Sequence, residues 1–335
     1  MTVAPMSTLD SIQRYTRRTH IIPASLPQHG DVSVRRELDG PLRLSVHDYS
    51  VLGSNKDGLT VILTHGTSFN KNFWELVIHY LLCQKDLRTE VRRLIAIDAA
   101  NHGDSAVLNR EVLPSKACWA DDSRDILHTL RFLAVDGPAL GIGHSFGGGS
   151  MSHAHMMDPG AFLATILVEP ILFQMKSQTE AVARMTLGRR DTWDSQSAVA
   201  TAFERSKSLQ DWDRRQLKVY IEHGTFSTGA EGESKRTLKT PKEQEVATYL
   251  AAPHPQILEL LSESTGRHHF IWGSESKVVS SNDRRSVERI IQPPSTSQVI
   301  AGAGHLIPMT HPEQLSIILG NLIVDICSFP PQVKL

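Results

Sequence analysis

Short, continuous apolar runs recur along this chain and alternate with amphipathic segments. The runs lie within residues 59–64, 91–97, 138–142 and 162–168, and shorter strand-like segments follow at 269–273 and 296–301. Continuous apolar strands are typical of a parallel sheet that is buried on both faces. Segments 72–82 and 121–134 instead repeat their apolar residues at helical spacing. The pattern therefore predicts an α/β fold with a mostly parallel, doubly wound sheet.

Two parts of the chain depart from this regular alternation. Residues 32–36 and 42–49 predict early antiparallel strands joined by a turn at Asp39-Gly40. Residues 170–256 are too long for an ordinary crossover. They contain helix-like segments at 195–209 and 211–223, a polar segment at 225–235 that we expect to be a loop, and the capping-box pattern Thr240-Pro241-Lys242-Glu243. We therefore predict a core of 1–169 and 257–335, with 170–256 inserted as a helical cap over the carboxyl edge of the sheet.

Composition narrows the class of protein. The 335 residues are 40% hydrophobic and 21% charged, as in an ordinary globular protein with a full core. The formal net charge of −1 gives no electrostatic reason to expect nucleic acid as a partner. The three cysteines, Cys83, Cys118 and Cys327, have neither a disulfide framework nor zinc-ligand spacing. We expect no metal and no organic cofactor, and the sequence predicts no oligomeric state.

Targeting signals are weak in this sequence. The first 30 residues lack the apolar core of a signal peptide, and no run has the length of a membrane span. We therefore expect an intracellular protein without an integral membrane segment, either cytoplasmic or peroxisomal. The final Val333-Lys334-Leu335 shares the lysine and leucine of the peroxisomal tripeptide, but valine replaces the expected small polar residue.

The most specific chemical signal is a serine between two glycines. Gly143-His144-Ser145-Phe146-Gly147 directly follows an apolar run and precedes a small-residue stretch. Glycines on either side allow a strand and a helix to approach closely while the serine occupies a sharp turn between them. This arrangement exposes the hydroxyl above the edge of the sheet, so we predict that Ser145 is a nucleophile.

A serine nucleophile needs a base and a carboxylate that orients the base. The glycine-rich loop after the strand at 296–301 carries His305, which we predict to be the general base. Glu169 ends the apolar strand at 162–168 and is followed by Pro170, and we favour it as the acid. Glu275, just beyond the strand at 269–273, is the alternative. The position that most often carries the acid in that loop is Ser276.

Acyl transfer also requires donors for the developing oxyanion. The strand at 59–64 leads into His65-Gly66-Thr67-Ser68, where a backbone N–H reaches the site in such folds. We predict that the amides of Thr67 and Phe146 form the oxyanion hole. The polar residues that follow the strand at 91–97 near the same edge are expected to brace loops; these are Asp98, His102 and Asp104.

These pieces together resemble the α/β-hydrolase superfamily. The matching segments are LTHGT at 63–67, AIDAANHGDS at 96–105, GHSFGG at 143–148 and GAGHLIP at 302–308. The resemblance implies an eight-stranded sheet and a Ser-His-acid triad, with the position of Glu169 as a known variant site for the acid. More loosely, the chain resembles fungal peroxisomal lipases and hydrolases of toxin biosynthesis.

The expected activity is that of a serine hydrolase acting on a largely apolar ester, as in a carboxylesterase, lipase or lactonase. If the acyl-enzyme is captured by a hydroxyl or amine of the substrate, the product is a lactone or a transferred acyl group. An acyl thioesterase is a further alternative. A small-molecule receptor that keeps the fold without turnover is the alternative from another class.

Overall fold

The computed structural model describes residues 14–26, 42–137, 139–228 and 234–328. Its strands are β1 Tyr15–Pro23, β2 Arg43–Val51, β3 Leu59–Thr64, β4 Val91–Ile97, β5 Ala139–His144, β6 Phe162–Val168, β7 Thr192–Trp193, β8 Thr225–Ser227, β9 Arg236–Leu238, β10 His268–Gly273 and β11 Thr296–Ile300. Eight of them form one sheet in the order β1-β2-β4-β3-β5-β6-β10-β11. Pairing is antiparallel for β1-β2 and β2-β4 and parallel for the other neighbours.

The strands alternate with helices along the chain. The helices are α1 Glu75–Cys83, α2 Leu87–Glu90, α3 Gly103–Leu108, α4 Trp119–Phe132, α5 Phe146–Met157, α6 Lys176–Leu187, α7 Gln196–Glu204, α8 Arg214–His223, α9 Lys242–Leu250, α10 Ile257–Glu263, α11 Ser281–Ile290, α12 Ile307–Thr310 and α13 Pro312–Ser328. Apolar residues of α1 and α13 pack on one face of the sheet. Those of α4, α5, α10 and α11 pack on the other, so the strands between are buried on both sides.

The predicted α/β architecture is confirmed, with one addition at the edge of the sheet. The segment 32–36 lies outside the described residues, while the predicted strand at 42–49 corresponds to β2. Its antiparallel neighbours are β4 and β1, and the sequence pattern did not indicate β1. Most β1 side chains are exposed, so this edge strand lacks the apolar run that marks the central strands. The other predicted strands are present within one or two residues of their expected ends.

The inserted segment, residues 170–256, combines helices α6 to α9 with a small sheet of order β7-β9-β8. The segment expected to be a loop at 225–235 thus supplies β8. The single helix expected over 195–209 ends at Glu204 and is followed by a separate short turn of helix. The predicted capping box does not form: α9 begins at Lys242, and the Thr240 hydroxyl instead accepts a hydrogen bond from the Gly103 amide at 3.1 Å.

An aromatic cluster joins the inserted segment to the core. Phe69 and Phe73, which follow β3, pack against Trp212 and Tyr220 of the inserted segment with ring centroids 5.5 to 6.4 Å apart.

Cys83, Cys118 and Cys327 are free thiols. Within the four described ranges, no helix combines the length and apolar character that crossing a bilayer requires.

A buried ion pair fixes the loops at the carboxyl edge of the sheet. Asp98, directly after β4, accepts hydrogen bonds from the backbone amide of Lys71 at 2.6 Å and from its Nζ at 2.7 Å. The same Nζ donates to Asp104 at 2.7 Å, and both Lys71 and Asp98 are completely buried. The loops after β3 and β4 are therefore held together by charge, as expected for Asp98 and Asp104.

Replacing Lys71 by Met should lower the free energy of unfolding by about 3 to 5 kcal/mol, because the substitution leaves the buried Asp98 carboxylate without its counter-ion. Urea denaturation measures this loss. Arg131→Met is the matched control, since Arg131 pairs with Asp158 at 3.2 Å on the surface, with side chains 70% and 40% exposed. That change should cost less than about 1 kcal/mol. Equal losses for the two variants would contradict the bracing role of the buried pair.

Candidate active site

Ser145 lies at a sharp turn between β5 and α5, as the glycine pattern predicts. Its φ is +56°, in the left-handed region that a non-glycine residue rarely adopts. A Cβ atom at Gly143 would lie 2.5 Å from the carbonyl oxygen of Gly147, so only glycine allows the strand and helix this close. The turn presents Ser145 to the cavity above the carboxyl edge of the sheet.

The structure brings His305 and Glu169 to this serine from two other strand ends. His305, in the loop after β11, places Nε2 2.9 Å from the Ser145 hydroxyl oxygen. Its Nδ1 lies 2.9 Å from Oε2 of Glu169, the residue that follows β6. A carboxylate only accepts hydrogen bonds, so Nδ1 carries the proton and Nε2 accepts from the serine hydroxyl. The three groups form a continuous hydrogen-bonded chain.

Glu169 is fully buried, and its carboxylate has three donors. Besides His305, the amide of Gly273 donates to Oε1 at 2.8 Å, and the Ser276 hydroxyl donates to Oε2 at 2.6 Å. Ser276, at the position expected to carry the acid more often, thus donates a hydrogen bond to the carboxylate at 169. Glu275 is exposed and accepts a hydrogen bond from Ser274 at 3.2 Å. The geometry therefore unites His305 with Glu169 and places Glu275 in contact with Ser274.

The two predicted oxyanion donors lie on either side of the serine. Phe146 is the first residue of α5, and Thr67 lies in the loop after β3; both are buried and line the same cavity as Ser145. The loop passes very near Ser145, since a Cβ at Gly66 would lie 3.1 Å from that of Ser145. Backbone amides of this loop are therefore close to the Ser145 side chain.

Two neutral histidines, His144 and His65, form hydrogen bonds with the backbone of the loops around the site. His144 Nε2 donates to the carbonyl oxygen of His305 at 2.9 Å, which fixes the loop that carries the imidazole. Burial and the neighbouring His305 lower the pKa of His144 to about 3. His65 Nδ1 donates to the Gly66 carbonyl at 2.8 Å, and its Nε2 accepts from the Ala99 amide at 3.2 Å. Burial lowers the pKa of His65 as well, so both rings keep these donor and acceptor roles near neutral pH.

A cavity of about 540 Å³ opens over Ser145 and His305. The inserted segment and the loop after β6 supply much of its wall, which is mainly apolar; the large apolar side chains include Phe173, Met175, Val182, Leu209, Trp212 and Leu250. This volume matches a small-molecule site. Residues between β6 and β10 therefore form much of the wall around the serine.

One wall of the cavity carries the polar side chains of Ser68, Arg189 and Tyr249, and the buried Glu245 contacts two of them; sequence reasoning missed this group. Glu245 of α9 accepts a hydrogen bond from the Ser68 hydroxyl at 2.6 Å and another from Arg189 at 2.5 Å. The Tyr249 hydroxyl lies 3.0 Å from the Ser68 hydroxyl. Burial raises the pKa of Glu245, against the opposing effect of Arg189. Near Glu245 the sequence predicts only that a helix starts at 240–243. That prediction carries no information about contacts with Ser68 and Arg189, which are distant in the chain.

Comparison with known proteins agrees with this fold. The model of the alpha/beta hydrolase family matches residues 61–316, which include Thr67, Ser145, Glu169 and His305. This match covers most of the chain. The protein therefore belongs to the alpha/beta hydrolase family.

Individual relatives are more distant. The type I acyl-CoA thioesterase mpaH′ of Penicillium brevicompactum is 25% identical over 225 residues, 64% of this chain and 51% of that protein. The peroxisomal membrane protein LPX1 of Saccharomyces cerevisiae is 34% identical over 125 residues, 36% of this chain and 32% of that protein. In these alignments the chain spans about half the length of the thioesterase and about a third of the length of LPX1.

A solved structure extends the likeness to nearly the whole fold. The peroxisomal α/β-hydrolase Lpx1 of Saccharomyces cerevisiae superposes with a TM-score of 0.83 at 20% identity. The superposition covers 96% of this chain and 92% of that one. At this sequence identity the superposition shows that the two proteins share a fold, and it shows no more than that.

Proposed function

We propose that this protein is a serine hydrolase that cleaves ester or thioester bonds of a largely apolar acyl substrate through an acyl-enzyme. The observation that carries the proposal is the hydrogen-bonded chain from Ser145 Oγ to His305 to Glu169, with both contacts at 2.9 Å. A serine, a base and an orienting carboxylate in this order form the apparatus of acyl transfer. The family membership of the chain is consistent with this chemistry.

In the first half of the reaction, Ser145 Oγ attacks the substrate carbonyl while His305 Nε2 takes the hydroxyl proton. Glu169 accepts a hydrogen bond from Nδ1 and stabilises the imidazolium that results. The amides of Thr67 and Phe146 donate to the oxyanion of the tetrahedral intermediate. Each such donor is typically worth about 3 kcal/mol in the transition state. The imidazolium then protonates the leaving group, and the acyl-enzyme remains.

In the second half, a water molecule attacks the acyl-enzyme. His305 Nε2 removes a proton from this water, and the same two amides bind the second oxyanion. Collapse of the intermediate returns the proton from His305 to Ser145 Oγ and releases the carboxylic acid. Every proton therefore moves through one imidazole nitrogen, whose position depends on Glu169.

The proposed class of substrate is inferred from the side chains that line the cavity. The apolar lining favours a largely apolar acyl group, which the inserted segment encloses above Ser145. We therefore propose that residues 1–169 and 257–335 form the core of the enzyme and that residues 170–256 form a cap over its active site. In this role the cap excludes bulk water and sets the shape of the acyl group that fits.

A thioester is the second candidate substrate, favoured by one relative. The mpaH′ protein of Penicillium brevicompactum is named a type I acyl-CoA thioesterase. Attack by Ser145 and deacylation by water are the same for an oxygen ester and a thioester, and only the leaving group differs. A peroxisomal location is proposed on the likeness to LPX1, which is named as peroxisomal. The tripeptide at 333–335 lies outside the described residues.

A fluorophosphonate probe tests the nucleophile directly. The unmodified protein should become labelled on Ser145, because the probe captures an activated serine, and peptide mass spectrometry locates the adduct. Ser145→Ala should abolish both labelling and turnover of p-nitrophenyl butyrate while the thermal unfolding midpoint stays nearly unchanged. A protein that binds apolar acyl compounds without labelling would instead be a receptor with the same fold.

Two parallel substitutions test the choice of acid. Glu169→Gln should reduce kcat by on the order of a thousandfold or more, because the amide cannot hold the imidazole in the required tautomer. Glu275→Gln is the matched control and should stay within about twofold of the unmodified protein, since this exposed side chain contacts Ser274. Steady-state kinetics with one activated ester gives both values. A severe loss at 275 with a mild one at 169 would reverse the assignment.

A matched pair of substrates distinguishes the two leaving groups. The same butyryl group is offered as an oxygen ester and as a coenzyme A thioester, and kcat/KM is measured for each. If the cleft has contacts for the coenzyme A moiety, as the thioesterase candidate requires, the thioester should be favoured by tenfold or more, mainly through a lower KM. Equal values, or a preference for the simple ester, would exclude a dedicated acyl-CoA thioesterase.

A further inference from the structure

The loop that carries Thr67 contains a strained turn. The Phe69 amide donates to the Gly66 carbonyl at 3.2 Å, which makes Thr67 and Ser68 the central residues of a four-residue turn. Ser68 has a φ of +75°. A turn with positive φ at this third position ordinarily has glycine or asparagine there, because a serine side chain disfavours the left-handed backbone. Something outside the turn must therefore stabilise it.

The stabilising contacts come from the inserted segment. The Ser68 hydroxyl donates to Glu245 Oε2 at 2.6 Å and lies 3.0 Å from the Tyr249 hydroxyl. These two residues are one turn apart on α9, so they present both groups on the same face of the helix. The Glu245 side chain is 1% exposed, and its other oxygen accepts from Arg189. The carboxylate thus has a donor on each side and one preferred position.

Helix α9 is itself anchored to the core, so it offers a fixed point for the turn. The Trp119 indole nitrogen donates to the Thr248 carbonyl at 3.1 Å, and Asn101 Nδ2 donates to the Thr248 hydroxyl at 3.0 Å. The Gln244 side chain donates to the Pro114 carbonyl at 2.8 Å. These contacts involve Gln244 and Thr248, which lie on either side of Glu245 in α9, and they tie the helix to residues between β4 and β5. The Glu245 carboxylate is therefore attached to a rigid element.

We propose that Glu245 is a positioning residue for the oxyanion hole: through Ser68 it holds the turn that aims the Thr67 amide at the reacting carbonyl oxygen. This inference rests on the proposed function, in which that amide binds the oxyanion. If Ser68 relaxes to a negative φ, the peptide between Thr67 and Ser68 rotates. The donor next to it then loses its alignment, although the cavity remains open to substrate.

Because the turn carries the proposed oxyanion donor, a shift of the turn should affect kcat and KM differently. A misaligned oxyanion donor weakens binding of the transition state and leaves binding of the ground state largely intact. Loss of Glu245 should therefore reduce kcat and change KM little. A residue that only shapes the acyl pocket would mainly raise KM. The split between the two parameters separates a positioning role from a merely structural one.

The experiment compares two glutamates on the same helix. Glu245→Ala should lower kcat for p-nitrophenyl butyrate by tenfold or more, keep KM within about twofold, and slow fluorophosphonate labelling of Ser145 by a similar factor. Glu243→Ala is the matched control, because this side chain is exposed on α9, and both rates should equal those of the unmodified protein. Thermal unfolding of both variants shows whether the fold is retained.

Two substitutions at Ser68 test the route through the backbone and do not depend on the folding of the Glu245 variant. Both remove the hydroxyl, but glycine adopts positive φ without strain whereas alanine does not. Ser68→Gly should therefore keep at least fivefold more of the wild-type kcat than Ser68→Ala. Equal impairment of the two variants would overturn the proposal, because the hydroxyl and not the backbone conformation would then matter.

The remaining outcomes separate this inference from the proposed function. If the unmodified protein is labelled at Ser145 and Glu245→Ala matches Glu243→Ala in kcat and labelling rate, the positioning role is wrong and the serine hydrolase proposal stands. If Glu245→Ala raises KM without lowering kcat, Glu245 shapes the pocket and the inference is again overturned. If the unmodified protein is not labelled, the proposed function fails, and this inference fails with it.

Discussion

A carboxylate buried at the end of β6 is the constraint on which the arrangement of the site depends. Glu169 has no exposed surface, and a buried charge is tolerated only when hydrogen bonds replace the lost water. Its three donors come from β10, from the loop after β10 and from the loop after β11. Satisfying one charge thus brings three parts of the chain together and leaves the Nε2 of His305 directed at Ser145.

Close backbone approach is the second requirement, and glycine makes it possible. Gly143 permits the sharp turn at Ser145, and Gly66 brings the loop after β3 against that turn. On the outer side of this loop, Ser68 contacts Glu245 of the inserted segment. The loop after β3 is thereby held between the core and the inserted segment. In the proposed mechanism, enclosure of the substrate and alignment of the Thr67 amide therefore depend on the same contacts.

Much of the fold and of the site could be predicted from the sequence because the signals are local. The central strands contain continuous apolar runs, and Ser145 and His305 each lie in a glycine-rich segment directly after a strand. Glu169 was identifiable as a charge that ends an apolar strand. Edge strand β1 was missed because its side chains are mostly exposed. The partners of Ser276 and Glu245 lie 107 and 177 residues away, and no local pattern specifies contacts at that distance.

The central claim is that Glu169 acts on the reaction only through His305, and a double-mutant comparison tests it most directly. The measurement is kcat of His305→Ala with and without Glu169→Gln, using one activated ester. Residues that act as a unit are strongly non-additive, so adding the second substitution should change the rate by less than about twofold. A further loss as large as the one Glu169→Gln causes in the presence of His305 would contradict the account.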